Sequence, residues 1–226
     1  LGGSVPLNVS DGTLQFAVSP TAASVESFGA LQALHGSTTI VVETTGQPST
    51  INFLNLNGNA VNGGGSLLFR AAGTGANFGT AANTVQFGNA PTLSPNLLGL
   101  GIMARGLVAD GNGWNFATYA QGSLRGFSAY DTTNLNAVSS PATGATATVQ
   151  VGSSVTLAGN RTINAIKLTG GDVTLGGAGS TLTLTSGGIL ATGGTSTIAS
   201  GVVIAAGGTE VGLNAGADGV LNVGAP

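Results

Sequence analysis

The 226-residue chain carries 40 glycines, one histidine, one tryptophan and no cysteine, and only 6% of it is charged, against roughly 25% in an ordinary soluble domain. Five Lys and Arg against eight Asp and Glu give a net charge of -3, which excludes the basic footprint of a nucleic-acid binder; 42% hydrophobic residues exclude a disordered chain. Without cysteine there is neither a disulfide scaffold nor a cysteine-based metal site, and glycine lacks the strict third-residue period of collagen.

The chain opens on Leu1 rather than Met, so the expectation is a processed or partial chain. Short runs of the form Thr–apolar–polar–apolar then follow one another: Thr13-Leu14-Gln15-Phe16, Thr50-Ile51-Asn52-Phe53, Thr84-Val85-Gln86-Phe87, Thr148-Val149-Gln150-Val151 and Thr162-Ile163-Asn164-Ala165. Such alternation puts apolar side chains on one face of a strand and Thr, Asn or Gln on the other. In the first part the pattern predicts strands at 14–18, 40–42, 51–56, 67–70, 84–87, 116–119 and 124–127, separated by long polar turns. Phe, Trp114 and Tyr119 concentrate here. Ser94-Pro95 has the form of a helix N-cap followed by Pro, but Gly99, Gly101 and Gly106 weaken any helix over 96–107. The longest apolar stretch, 97–109, is too short to span a bilayer and is broken by Arg105. No transmembrane segment is expected in this portion.

Ser139-Ser140-Pro141-Ala142-Thr143-Gly144 reads as a loop inside one elongated domain. Beyond it the pattern is nearly continuous. Strands are predicted at 146–151, 154–158, 162–168, 172–175, 181–185, 189–191, 196–199, 202–205, 209–213 and 220–223. Between them stand glycine corners such as Gly170-Gly171, Gly187-Gly188 and Gly193-Gly194, which supply the positive φ of sharp turns. Strands so short and so closely spaced suit a solenoid rather than a sandwich or barrel. A thin aliphatic interior also fits the scarcity of aromatic residues.

The stretch RTINAIKLTGGDVTLGGAGSTLTLTSGGILATGGTSTIASG, residues 161–201, resembles the autotransporter-associated β-strand repeat proteins. TVQFGNAPTLSPNLLG (84–99) followed by NGWNFATYAQGSLRGFSAY (112–130) is similar to a segment that recurs between repeat arrays in that family. Together the matches cover most of 14–223. The resemblance implies a right-handed β-helical region of a large secreted or surface bacterial protein. It brings no catalytic motif to this chain.

Chemistry-bearing residues are sparse. His35 is the only histidine, which excludes a multi-histidine metal site within the chain; beside Gly36 it reads as a turn residue. The acids Asp11, Glu26, Glu43, Asp110, Asp131, Asp172, Glu210 and Asp218 are dispersed. A glycosidase needs two carboxylates about one bond, which in a solenoid only distant residues could supply. Gly170-Gly171-Asp172 and Ala217-Asp218-Gly219 lack the turn-after-turn repetition of a calcium-binding roll and read as tight turns. Asn8-Val9-Ser10 and Asn160-Arg161-Thr162 fit the glycosylation sequon, though no glycan is expected in a bacterial protein. Thr181, Thr183 and Thr185 form one face, but no neighbouring segment repeats the spacing that a flat ice- or sugar-binding rank would need.

These observations lead to an all-β, right-handed parallel β-helix. The chain is expected to be a single solenoid segment over 1–226, less regular over 1–138 and more regular over 145–226, within a larger chain. It would comprise about ten coils of about 20 residues each. The expected function is structural: a building block of a bacterial surface layer, fibre or adhesive appendage, extracellular or at the cell surface. Catalytic residues, metal and cofactor are all expected to be none. The expected partners are further copies, as a homo-oligomer or filament, with a surface polysaccharide as a second possibility and nucleic acid excluded. The alternative is a carbohydrate-binding or carbohydrate-cleaving β-helix. Natural sheet edges are blocked by charges, Lys above all. Here the only Lys is Lys167, and the terminal run Val220-Leu221-Asn222-Val223 is uncharged.

Overall fold

A computed structural model describes residues 5–44, 46–58, 66–73, 76–99, 106–132, 134–137, 145–208 and 210–224. Among them there is no helix, and therefore none long and apolar enough to cross a membrane. Parallel strands stack into a β-solenoid of about 8 turns. The backbone falls into two compact units, Leu1–Phe127 and Ser128–Pro226. The expected junction at 139–144 lies outside the described residues.

In the first unit, the strands β1 (Leu7–Phe16), β3 (Leu31–Thr44), β6 (Ser66–Gly73) and β10 (Gly106–Asp110) run parallel in that order. A second parallel sheet holds β2 (Ser24–Phe28), β4 (Ser49–Phe53) and β7 (Asn83–Phe87). The short β5 (Leu56–Gly58) pairs with β3, and β8 (Leu93–Ser94) with β9 (Leu97–Leu98). Alternation works as expected: in β4 the pattern is buried, half-buried, buried, half-buried, buried. One coil on, the interior residue repeats in kind, as in the column Leu14, Ile40, Phe69, Val108.

The core of this unit is more aromatic than a thin aliphatic interior allows. Phe16, Phe28, Phe53, Phe87 and Tyr119 form a ladder with centroids 5.3 to 5.7 Å apart. The strand spacing of about 4.8 Å is close to the 4.5–7 Å that aromatic pairs favour. Phe28, Phe53 and Phe87, register partners one coil apart, therefore stack within a narrow core, with Phe16 and Tyr119 packed at the two ends of the row. The stack ends in two antiparallel hairpins, β10 to β11 (Gly113–Ala120) to β12 (Ser123–Gly126). Gln121 and Gly122, at φ 54° and 72°, make the second hairpin with both central residues left-handed. That geometry matches the strand twist and favours glycine at its second position.

In the second unit every strand is parallel. One sheet runs β13 (Thr148–Val151), β15 (Arg161–Thr169), β17 (Thr181–Thr192), β19 (Val203–Ala206), with β20 (Gly212–Ala215) also on β17. The other runs β14 (Val155–Thr156), β16 (Val173–Gly176), β18 (Gly194–Ile198), β21 (Gly219–Val223). Both sheets bury aliphatic side chains in one core, with Val149, Ile163, Ile166, Leu175, Leu182, Leu184 and Ile189 wholly buried.

Three expectations need correction. Turns number about 8 rather than about ten, because coils lengthen in the first unit. The second unit opens on a short coil that carries Thr148 to Ala165. In the first unit one coil carries Ser49 all the way to Asn83, and another, longer still, carries Leu67 to Gly106. The predicted corner at Gly187-Gly188 is not one, since β17 runs through it. The register between β15 and β17 shifts between the pairs Ile163↔Leu184 and Ala165↔Gly188, with the extra residues on the β17 side. These glycines therefore absorb a bulge within the strand. Finally, β2, β8, β9, β10 and the early halves of β1 and β3 have no counterpart in the predicted strands. Gly106 opens β10 where a weak helix pattern runs from 96 to 107, and 100–105 lie outside the described residues.

Candidate assembly surface

Each unit is closed at one end of its stack and open at the other. In the first unit the hairpins β11 and β12 cover β10. The Tyr119 hydroxyl accepts a hydrogen bond from the Phe87 N–H at 3.1 Å and donates to the Gly122 carbonyl at 2.9 Å. It thereby occupies the outer edge of β7. In the second unit the first coil is closed by residues 131, 132 and 134–136. The Asp131 N–H donates to the Thr148 carbonyl and its carbonyl accepts from the Gln150 N–H, both at 2.9 Å. The Asn136 amide acts as a one-residue strand along β14: Nδ2 donates to the Thr156 carbonyl at 2.7 Å, and Oδ1 accepts from the Ala158 N–H at 2.9 Å. Nothing in the local sequence flags Tyr119 or Asn136 as caps, because their partners lie a full coil or more away along the chain.

Among the described residues the last coil of the second unit has no such cover. Strands β19, β20 and β21 are the final members of their sheets among the described residues. Interior columns run out at this point. Val149, Ile166 and Ile189 are wholly buried, but the next member of the column, Leu213, is 53% exposed. Leu175 and Ile198 are buried, and Val223 above them is 53% exposed. On the outward face Val203 and Val220 are 54% and 51% exposed. At the start of the first unit, β1 and β2 are the terminal members of their sheets, and Val25 is 66% exposed. Lys167 cannot guard these edges, because it lies in β15, inside the stack.

Lys167 is instead buried. Its ammonium lies 5.3 Å from the centroid of the Tyr130 ring, a cation–π contact. Burial pushes its pKa below the usual 10.5, and the Asp218 carboxylate partly offsets this.

The other singled-out residues remain apart. His35 is exposed in β3 beside Ser10. Among the described residues no three of His, Cys, Asp and Glu gather as a metal set. Asp172 and Asp218 sit in exposed turns, and their backbone carbonyls accept from Ser154 Oγ and the Gly194 N–H. The sequon residue Asn160 uses its side-chain oxygen to accept from the Thr181 N–H at 2.8 Å. Thr183 stands between Thr162 and Ala205, and Thr181 beside Val203, so the threonine face is not repeated from coil to coil.

The stacked parallel coils define a β-helical repeat protein. No protein family, curated protein or solved structure matches this chain.

Proposed function

We propose that this chain is a structural β-solenoid of the bacterial surface, of the autotransporter-associated repeat kind, which assembles along its coil axis into fibres or layers. The observation that carries the reading is the exposure of Leu213 and Val223, each directly above a buried column member, Ile189 and Ile198. A further coil would bury both, and unpaired backbone groups on a sheet edge recruit strands. The occupant we assign is the first coil of a second copy. The coil lengths at the two open ends agree. The stretch from Leu7 to its partner Leu31 is as long as that from Gly188 to Gly212, and Ser24 to Ser49 is as long as Gly194 to Gly219. A coil of this length lies within the roughly 20–30 residues that each partner gives to a standard interface. In this reading the protein performs no catalysis and takes no cofactor.

Sedimentation velocity across a concentration series tests the proposal. Self-association is expected, and Leu213→Asp should abolish it without unfolding the chain. The charged side chains on the two open coils are Asp11 and Glu26 on one and Glu210 and Asp218 on the other. Salt screens their repulsion, so physiological salt should leave the assembly intact. A particle that stays monomeric at all concentrations, or an assembly that modest salt dissolves, overturns the reading.

A further inference from the structure

Residues 131, 132 and 134–136, which close the first coil of the second unit, do not lie flat on it. Their two anchors are the Asp131 backbone on β13 and the Asn136 amide on β14. Between them Leu135 is driven into the core, 1% exposed. An internal bond from the Asn136 N–H to Asn134 Oδ1, 2.9 Å, fixes the bend. Beneath this arch the chain turns a corner at Gly152, Ser153 and Ser154. The arch and the corner enclose a cleft of about 290 Å³, near the lower end of the ~300–1,000 Å³ usual for small-molecule sites.

The lining decides the chemistry. It contains no charged side chain, so an ionic ligand would find no counter-charge there. The Ser154 hydroxyl is engaged, accepting from the Thr174 N–H at 2.9 Å. Thr132, Gln150 and Ser153 have no side-chain hydrogen-bond partner among the described residues, and Asn134 has its Nδ2 to spare. Two hydroxyls and a whole amide both donate and accept. The matching ligand presents groups that also do both, namely neighbouring hydroxyls. Val155, half-buried, adds an apolar patch suited to the C–H face of a ring, while Leu135 anchors the arch from within the core.

We propose that this cleft binds one neutral pyranose unit of a glycan, held by Thr132, Asn134, Gln150 and Ser153. This inference is independent of assembly through the open coils, since the cleft lies at the closed end of the second unit.

The test is a titration of the full, isotopically labelled chain with D-glucose, D-galactose, D-mannose and N-acetylglucosamine into the millimolar range, followed by backbone amide shifts. At least one sugar should give saturable shifts centred on residues 132–135 and 150–155. Gln150→Ala and, separately, Ser153→Ala should each weaken binding by about fivefold, the worth of one net hydrogen bond. Their spectra away from the cleft should match the parent, which separates lost binding from lost fold. Glucuronate, bringing a charge that the lining cannot pair, should bind more weakly than glucose. Absence of saturable shifts with all four sugars overturns the proposal. So do equal shifts with glycerol, or unchanged affinity in both variants. Each of these results leaves the sedimentation test of the assembly reading standing.

Discussion

Truncating leucines along the interior of the second unit gives a graded test of where the stack is closed and where it is open. Leu184 is wholly buried in β17, with Ile163 on one side and Ala206 on the other. Leu184→Ala removes three carbon groups, about 2.4 kcal/mol of transfer free energy at ~0.8 kcal/mol each. A cavity penalty adds to this, because parallel coils above and below cannot collapse into the gap, and the total falls in the roughly 2–5 kcal/mol range. Leu182→Ala should cost the same for the same reason. Leu213 faces inward one coil after the wholly buried Ile189 but is 53% exposed. Less than half of its transfer term is in place, and a gap open to water is not a cavity, so Leu213→Ala should cost about 1 kcal/mol. Thr183→Ala, on the outward face between the two buried leucines, should change stability by less than about 0.5 kcal/mol. The assay is urea unfolding at low protein concentration, followed by far-ultraviolet circular dichroism and Trp114 fluorescence. The two probes separate the units if these unfold in distinct steps. Equal losses at Leu184 and Thr183 would refute the face assignment. A loss at Leu213 as large as at Leu184 would refute the openness of the last coil.

The end caps give sharper, smaller effects. Tyr119→Phe keeps the ring ladder but removes the hydroxyl shared by Phe87 and Gly122, and should cost about 1–2 kcal/mol in the unfolding of the first unit. Asn136→Asp leaves an oxygen to accept from Ala158 but sets a charged oxygen against the Thr156 carbonyl oxygen where Nδ2 donates; because that repulsion outweighs the retained bond, chemical denaturation should show a larger loss than for Asn136→Ala. Gly219→Ala should loosen the last coil, because a Cβ there would strike the Ala191 carbonyl oxygen; hydrogen exchange of β21 reads this directly. Lys167 has a lowered pKa in the fold, so between that value and 10.5 the unfolded chain binds more protons than the native one. Stability from this group therefore rises with pH across that window. Lys167→Met should abolish the rise in urea midpoints measured at alkaline pH.

The sequence alone determined the coil as a class of structure. Strict alternation in runs such as Thr148-Val149-Gln150-Val151 is local information, because a residue's face follows from its place in a period of two. The positions of most strands and the inward direction of Leu182 and Leu184 followed from it. So did the lack of a lysine on the terminal strand, which can be counted without coordinates. Tertiary structure decided what depends on the step between coils. That step is short where Thr148 meets Ala165 and more than doubles where Leu67 meets Gly106, and no local pattern encodes which residue lands above which. The ring ladder from Phe16 to Tyr119 arises from that stacking, as do the closure of β7 by Tyr119 and of β14 by Asn136. The cleft beside Thr132, Asn134 and Leu135 arises in the same way, since it joins Thr132 to Ser153 across a coil boundary. Even the Gly187-Gly188 pair, which reads as a corner in isolation, lies within a strand because β15 beneath it and β20 above it hold it extended. Glycine permits a turn, but pairing with neighbouring coils decides whether one forms.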